Sequence, residues 1–298
     1  MNTTHLRPIV GYLPRYAFSR RLGWTPPGSL PLPDYLLLRR VAIERGDEPV
    51  TYTALRENAL NPYSTIDALL DGLPRLVELG PLNQFGDTYE LNAVGRDVLT
   101  HGERDANDYA ASHIHLLPDD LARLASTLQD VTERQRSAPE PADKAHQHRV
   151  PFLRRFDPRR LPPIQLEYAM YALQRSRDDA HIAAWRAAGL EGPEIELLSL
   201  IRTTGARTDG ELVEVELAHA RMRPGDVVAF LSRLERKGYV MVGTGKVTIS
   251  DRGREVRDRI EHETDRIYFA PWPSIDAGWV IGQLETLVVG LALPSHRP

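Results

Sequence analysis

The chain has 298 residues, 26% of which are charged, and a formal net charge of −4 at pH 7. It contains no cysteine, which excludes disulfide bonds, thiolate metal sites and cysteine nucleophiles. Protein affinity for nucleic acid comes largely from phosphate neutralisation by lysine and arginine, so an acidic chain can bind DNA only through local basic patches. The length leaves room for roughly two domains.

No segment has the pattern of a secretion signal or a membrane span. The polar start Met1–Arg7 is followed by only a short apolar stretch, Ile9–Leu13. The longest apolar run, Trp279–Leu293, is interrupted by Gln283 and Glu285 and is too short to cross a bilayer. We therefore expect a cytoplasmic protein without a membrane partner.

The first 32 residues form a basic, proline-rich segment. No acidic residue occurs before Asp34, and the dense prolines of 25–33 block both helices and central strands. We predict an arm over residues 1–32 that lies across another surface. Its arginines could follow a phosphate backbone, or its aromatic residues could pack against the core.

Residues 33–100 predict a first winged-helix domain. Its expected helices are Pro33–Arg45, Thr51–Asn58, one that begins at Asn61-Pro62, and Ala93–Thr100. The proline suits the first helical turn, where its missing N–H is no loss. Gly86-Asp87 is a turn dipeptide between two apolar runs, which indicates a β-hairpin before the last helix.

Residues 101–190 predict a helical middle section. Asp105–Arg136 and Ile164–Ala188 carry apolar residues at helical spacing, and Pro118 is expected to break the first helix early. Between them, residues 137–150 are small, polar and without periodicity, which is the composition of a linker.

Residues 191–270 predict a second winged-helix domain. Its expected elements are the helices Pro193–Thr204, Glu211–Ala220 and Arg223–Lys237, a hairpin around Gly243–Gly245, and a charged helix over Asp251–Tyr268.

The last segment, 271–298, contains a helix predicted over Ser274–Leu293. This helix is apolar nearly all round and must be buried on more than one side. We predict that it pairs two copies of the chain into a homodimer through residues 274–293. Docking in a groove of its own chain is the alternative.

An internal repeat relates the two predicted winged helices. Leu231–Val256 aligns without a gap with Leu73–Val98, which lies 158 positions upstream, from position 231 back to 73. Matched positions include Leu73 and Leu231, Leu76 and Leu234, Gly80 and Gly238, Gly95 and Gly253, and Arg96 and Arg254. A repeat of this length predicts a mainly α fold with small β-wings, in which tandem winged helix-turn-helix domains are joined by a helical linker.

Cations surround the third helix of the second repeat, the helix that enters the major groove in winged helices. The candidate DNA-binding residues are Arg221, Arg223, Arg233, Arg236, Lys237 and the hairpin residue Lys246. Arginine suits bidentate contact with guanine or phosphate. Alternatively, these cations are a solvated face, with Arg236 and Lys237 complementing the negative end of the helix dipole.

The first repeat is a weaker candidate for DNA contact. Its candidate DNA-binding residues are Tyr63, Ser64, Thr65 and Arg75. Acidic residues outnumber basic ones over 33–100, and an acidic winged helix more often contacts protein than DNA. A protein partner at this domain is therefore the alternative.

Neither a metal site nor an enzyme is indicated. The two His-X-His pairs, at His113 and His146, do not share a helical face and have no third ligand at a motif spacing. Nucleophile-elbow, phosphate-loop, dinucleotide and zinc-protease motifs are all missing from the sequence. We expect no catalytic residue, no metal and no cofactor.

From about Arg177 onward the chain resembles an uncharacterised helix-turn-helix family that is common in actinobacteria. The matching segments are Arg177–Leu190, Gly192–Glu194, Ile249–Arg254, Ile260–Arg266 and Ala270–Trp272. Both repeats also resemble MarR-like winged-helix regulators, in which a Leu-Glu-x-Lys-Gly helix end precedes the wing; here it is Leu234–Gly238. The resemblance implies a winged-helix fold and assigns no ligand or operator.

These patterns favour a DNA-binding transcriptional regulator in which the second winged helix is the principal reader of double-stranded DNA. The main alternative is a non-enzymatic interaction or scaffold protein whose winged helices contact protein. A ligand-responsive regulator with a pocket between the middle helices and the second winged-helix domain is a third possibility.

Overall fold

The computed structural model describes residues 5–19, 24–26, 30–45, 48–57, 62–65, 69–205, 207–218, 222–243 and 245–290. The fold is mainly helical with two small antiparallel sheets. The chain divides into two compact units: the first combines Met1–Asn58, Leu69–Asp179 and Ile267–Pro298, and the second combines Ala59–Ala68 and Ala180–Arg266. Over the described ranges, no helix has the length and apolar character needed to cross a bilayer.

The first half of the chain contains seven helices and three strands within these ranges. They are α1 (Arg7–Ser19), α2 (Leu32–Arg45), β1 (Val50–Thr51), α3 (Tyr52–Glu57), α4 (Leu69–Glu78), β2 (Leu82–Phe85), β3 (Thr88–Leu91), α5 (Ala93–Ser112), α6 (Pro118–Ser137) and α7 (Val150–Leu153). A single 3₁₀ turn, Gln147–Arg149, precedes α7. The strand order β1-β3-β2 makes a three-stranded antiparallel sheet.

The second half of the described chain is α8 (Pro162–Ala187), α9 (Gly192–Thr204), α10 (Asp209–Ala218), α11 (Pro224–Arg236), β4 (Val240–Gly243), β5 (Lys246–Ile249), α12 (Asp251–Phe269) and α13 (Ala277–Gly290). The second unit has its own core, formed where α9, α10 and α11 pack together under the β4–β5 hairpin.

In the first unit, α2 is the central helix. It packs against α4, α5 and α7 and buries Tyr35 and Leu38 completely. A buried ion pair joins α2 to α5: Arg39 Nε lies 2.7 Å from Glu103 Oε1, and the Tyr35 hydroxyl donates to the same oxygen at 2.8 Å. Burial opposes the charge on Arg39, but Glu103 raises the pKa of Arg39 above its usual value.

The expected N-terminal arm is wrong for residues 7–19, which form the helix α1. Ile9 and Leu13 lie four positions apart on one face and are buried, and α1 packs against α13. The dense prolines begin only after this helix. Just before these prolines, Trp24 is buried; its ring N–H donates to Asp105 at 2.7 Å, and the ring stacks edge-on against Tyr35.

The middle section differs from the prediction in two places. The single helix expected over Asp105–Arg136 is two helices, since α5 ends at Ser112 and Pro118 starts α6 at the position that proline favours. The expected linker 137–150 is held against the protein. Lys144 is buried and donates to the Arg136 carbonyl at 3.1 Å, and Asp179 accepts two backbone hydrogen bonds at the start of the 3₁₀ turn.

The apolar face of the C-terminal helix is covered within the chain. Val280, Leu284 and Leu287 are buried where α13 packs against α1 and α6, and the Arg123 guanidinium lies 4.0 Å from the ring centroid of Trp279. Docking on its own chain, the alternative to dimerisation, therefore accounts for the stripe. Residues 291–293 of the predicted helix lie outside the described part.

The two aligned segments have the same local architecture. Shifting β2, β3 and the start of α5 by 158 positions gives the bounds of β4, β5 and the start of α12. The hairpins share one register, in which Leu82 pairs with Leu91 as Val240 pairs with Ile249. Each hairpin also pairs with a preceding segment on its second strand, through β1 in the first unit and through an isolated bridge at Arg207 in the second.

The helix that follows each hairpin starts with the same hydrogen bonds. Asn92 accepts from the Gly95 amide at 3.0 Å and donates to the Gly80 carbonyl at 2.7 Å. Ser250 accepts from the Gly253 amide at 3.0 Å and donates to the Gly238 carbonyl at 2.6 Å.

Both helix-start glycines are sterically required. A Cβ at Gly95 would collide with the Pro81 carbonyl oxygen, and a Cβ at Gly253 would collide with that of Tyr239, the equivalent position. The matched residues therefore serve one local structure in both places.

Candidate nucleic-acid interface

The helix α11 presents one apolar face to the core and one uncharged face to solvent. Pro224 starts it at the favoured first position, and Val227, Leu231 and Leu234 are buried at helical spacing. Gly238 ends the helix region with a φ of 75°, a conformation that favours glycine. The exposed positions in its first two turns are Pro224, Gly225, Val228 and Ala229, all uncharged. Ser232 is half-buried, as is Asp226, whose carboxylate accepts a hydrogen bond from Thr65.

Free cations lie at the ends of this exposed face. Arg223 precedes α11, Arg236 is in its last turn, and Lys246 starts β5. All three are exposed, and none forms an ion pair with another residue that the structure describes. They remain available to phosphate.

Arg207 is a further cation that the sequence analysis missed. Its backbone N–H donates to the Val247 carbonyl at 3.1 Å, which fixes Arg207 beside β5. Val247 directly follows Lys246, so the two cations lie on neighbouring positions of the hairpin edge. Its side chain is half-buried and has no ion pair among the described residues. The sequence offered no signal for this placement; the structure shows that Val247 and its match Tyr89 each pair with a segment that precedes the hairpin.

Two of the predicted DNA-binding residues are engaged elsewhere. Lys237 Nζ lies 2.7 Å from both carboxylate oxygens of Glu194 and donates to the Gly189 carbonyl at 3.1 Å. Arg233 pairs with Glu191, and its Nε lies 3.4 Å from Glu194 Oε1. The hydrogen bond with Glu191 raises the pKa of Arg233.

These contacts tie α11 to the start of α9. Glu194 is fully buried in the capping box of α9, so its charge needs compensation. The ion pairs span 42 and 43 positions of sequence, beyond the reach of any local pattern. We assign Arg233 and Lys237 to holding the two helices together.

The prediction that Tyr63, Ser64 and Thr65 lie on the third helix of the first repeat is wrong. These residues are non-helical and belong to the second unit, and α4 begins only at Leu69. Thr65 donates to Asp226 in the first turn of α11 at 2.5 Å. Residue 61 and residues 66–68 lie outside the described part of the chain.

Tyr63 packs against the core of the second unit, with its ring centroid 6.3 Å from that of His181. The sequence suggested a helix start at Pro62. The local pattern could not show that residues 62–65 pack within the second unit and do not extend α4. The physical cause is that its aromatic side chain finds an apolar environment on the second unit.

The remaining predicted DNA-binding residues are Arg75 and Arg221. Arg75, on α4, lies 2.8 Å from Asp34 on α2, although its side chain is largely exposed. Arg75 is also the single cation between Leu69 and Leu91 in the sequence, a span that contains four acidic residues. Arg221 lies outside the described residues.

Comparisons with known proteins bear on the C-terminal part of the chain. The comparison of the chain with the curated proteins and that with the solved structures each gave no match. Residues 154–289, which span α8 to α13 and therefore all of α9–α12, match a helix-turn-helix family.

Proposed function

We propose that the second unit is a winged helix that binds double-stranded DNA and that the protein regulates transcription. The observation that carries the proposal is the group of unpaired cations, Arg223, Arg236 and Lys246, around the uncharged exposed face of α11. A helix-turn-helix match over the same elements supports it. The similar local structure around Leu73–Val98 supports a tandem arrangement, with MarR-like units as the nearest description.

The chemistry of α11 indicates how DNA would be bound. Small side chains at Val228, Ala229 and Ser232 let a helix approach the groove closely. Ser232 can hydrogen-bond a base edge, and the valine and alanine can contact thymine methyl groups. Most of the affinity would come from phosphate contacts by the surrounding cations, and these contacts position the protein without reading sequence.

Gly225→Glu tests this surface with little risk to folding. The position is exposed, a Cβ there meets no atom within 4 Å, and an acidic side chain in the first turn suits the helix dipole. The new negative charge would face the DNA phosphates. We expect the dissociation constant of the full chain for a random-sequence duplex to rise about tenfold, measured by fluorescence anisotropy at low salt.

Gly282→Glu is the matched control. It makes the same substitution at an exposed helical glycine of α13, where a Cβ again meets nothing within 4 Å. Its duplex affinity should equal that of the unchanged protein. Equal losses in both variants, or duplex binding that does not weaken with salt, would contradict the proposed surface.

The first unit supports a second candidate function, contact with a protein partner. Its hairpin carries Asp87 and the highly exposed Phe85, whose side chain is 63% accessible, and no lysine or arginine. An apolar side chain beside carboxylates suits a protein surface better than a phosphate backbone. Homodimerisation through 274–293 stays a separate proposal, now without the uncovered apolar stripe that motivated it.

A further inference from the structure

A cavity in the first unit is lined largely by hydrogen-bond donors. It has a volume of about 300 Å³ and lies between α6, the loop after α7 and the first turns of α8. Its lining residues are Gln129, Arg154, Asp157, Pro158, Arg159, Arg160, Gln165 and Tyr168. The proposed DNA surface involves none of them, so this site is independent of it.

On one wall of the cavity, the charge of Asp157 is balanced by that of Arg159. Asp157 is fully buried and accepts hydrogen bonds from Arg159 Nε at 2.7 Å and from Asn107 at 2.8 Å. Burial opposes the charge, but these hydrogen bonds hold the pKa of Asp157 below its usual value. Arg159 also pairs with Asp108 at 2.8 Å. The Asp157–Arg159 pair therefore shapes the loop and leaves little charge for a ligand.

The remaining donors are unused. Arg154 and Arg160 form no ion pair or hydrogen bond through their side chains with any residue in the described ranges. The same holds for the side-chain amides of Gln129 and Gln165. Four polar side chains with N–H groups thus line one cavity, and its only carboxylate is already occupied.

Arg154 packs on an aromatic ring beside two other arginines. Its guanidinium carbon lies 5.4 Å from the ring centroid of Tyr168, whose hydroxyl donates to the Leu153 carbonyl at 3.3 Å. The Arg154 and Arg160 side chains are exposed at the mouth of the cavity. Partial burial of the Arg154 guanidinium, followed by repulsion from Arg136, lowers its pKa; Tyr168 and Glu133 partly oppose this, and Arg160 adds to the repulsion. A bound anion would relieve this repulsion.

We propose that the cavity binds a small phosphate monoester through Arg154 and Arg160. Two unpaired guanidinium groups match the charge of −1.5 to −2 that a phosphate monoester carries near neutral pH. Their planar N–H groups can each donate two hydrogen bonds to phosphoryl oxygens. A monocarboxylate would leave one arginine uncompensated, and a volume of about 300 Å³ suits a small metabolite.

Calorimetric titration of the full chain tests the site. The probes are inorganic phosphate, glycerol 3-phosphate and succinate, each at an ionic strength held constant with sodium chloride. We expect saturable binding of both phosphates at one site per chain. In Arg154→Gln/Arg160→Gln the dissociation constants should rise about tenfold or more, because each lost guanidinium removes a charge-assisted contact.

Arg134→Gln/Arg259→Gln is the matched control, since it removes two exposed arginines that form no ion pair within the described residues and changes the net charge equally. Arg134 is two positions from Arg136 on α6 and faces away from it. The control should bind both phosphates as the unchanged protein does. Gln165→Ala gives a charge-neutral second test and should weaken binding several-fold.

The proposal is overturned if neither phosphate binds saturably, or if the cavity and control variants weaken binding equally. Saturable binding of succinate alone would assign the cavity to a dicarboxylate instead. Loss of DNA binding in Gly225→Glu bears only on α11, so the two proposals fail separately.

Discussion

The segments Leu73–Val98 and Leu231–Val256 have one backbone plan and two surface chemistries. Their strands, register, helix-start caps and glycines coincide at a constant offset. Arg75 and its match Arg233 are both ion-paired, but the second segment also carries Lys246, which has no ion pair among the described residues, where the first has Thr88. The comparison teaches that the local pattern specifies a scaffold, and that function depends on which charges the rest of the fold leaves unpaired.

The largest expected effect tests the shared scaffold. Gly95→Ala and Gly253→Ala each force a Cβ against a backbone carbonyl, so each should reduce the free energy of unfolding of its own unit by about 3 kcal/mol. Chemical denaturation with probes in each unit measures this. Alanine at Gly282, where nothing lies within 4 Å, is the control and should not destabilise. A tolerated alanine at one of the two positions alone would break the equivalence.

The second test contrasts the ion pairs. Lys237→Met leaves the buried Glu194 with its capping-box hydrogen bond and the longer Arg233 contact, and we expect a loss of about 2 kcal/mol after allowing for the partial exposure of Lys237. Arg75→Met leaves Asp34, which is also buried but lies in the first turn of α2, where the helix dipole favours its charge. Because Arg75 itself is largely exposed, we expect a smaller loss, about 1 kcal/mol. Urea denaturation of both variants decides. Equal, small losses would return Lys237 to the list of candidate DNA contacts.

The third test concerns DNA. Arg223→Ala/Lys246→Ala should raise the dissociation constant for a duplex about tenfold and reduce the salt dependence by roughly one unit of slope per lost phosphate contact. Arg75→Ala is the control in the first repeat and should leave both quantities unchanged. Anisotropy titrations at several salt concentrations measure them. If Arg75→Ala raised the dissociation constant as much as Arg223→Ala/Lys246→Ala, the first repeat would contact the DNA as well.

The smallest expected effect concerns the helix caps. Asn92→Ala and Ser250→Ala each remove a side chain that accepts from the N–H three positions later, and each should cost about 1 kcal/mol of stability. Thermal denaturation detects losses of this size. Asn83→Ala, on the exposed strand beside Asn92, is a control expected to cost less. A cost confined to one cap would show that the two helix starts differ in spite of their shared geometry.

Much of the fold could be predicted because it is encoded locally. The hairpin at Gly86-Asp87 was placed from a turn dipeptide between apolar runs, and the bounds of α9 and α12 lie within one or two residues of prediction. The errors occur where partners are distant. Residues 7–19 form a helix that packs against the apolar surface of α13. In the middle section, the chain ends one helix at Ser112 and starts another at Pro118.

The candidate site was only partly predictable for the same reason. A cation on the surface of a helix looks the same in sequence whether or not a carboxylate faces it. Arg233 and Lys237 are indistinguishable by type from Arg223 and Lys246, and only the buried Glu194 separates them. Arg207 was missed because a single backbone bridge, which has no local signature, brings it beside the hairpin.

The sequence by itself determined the two hairpins, their register and the glycines that the following helices require, since these depend on residues within about 25 positions of one another. Only the tertiary structure decided which cations are free, where Tyr63–Thr65 pack and what covers the apolar C-terminal helix. Those outcomes depend on ion pairing and apolar burial between segments far apart in the chain, and such contacts form only once the fold brings their partners together.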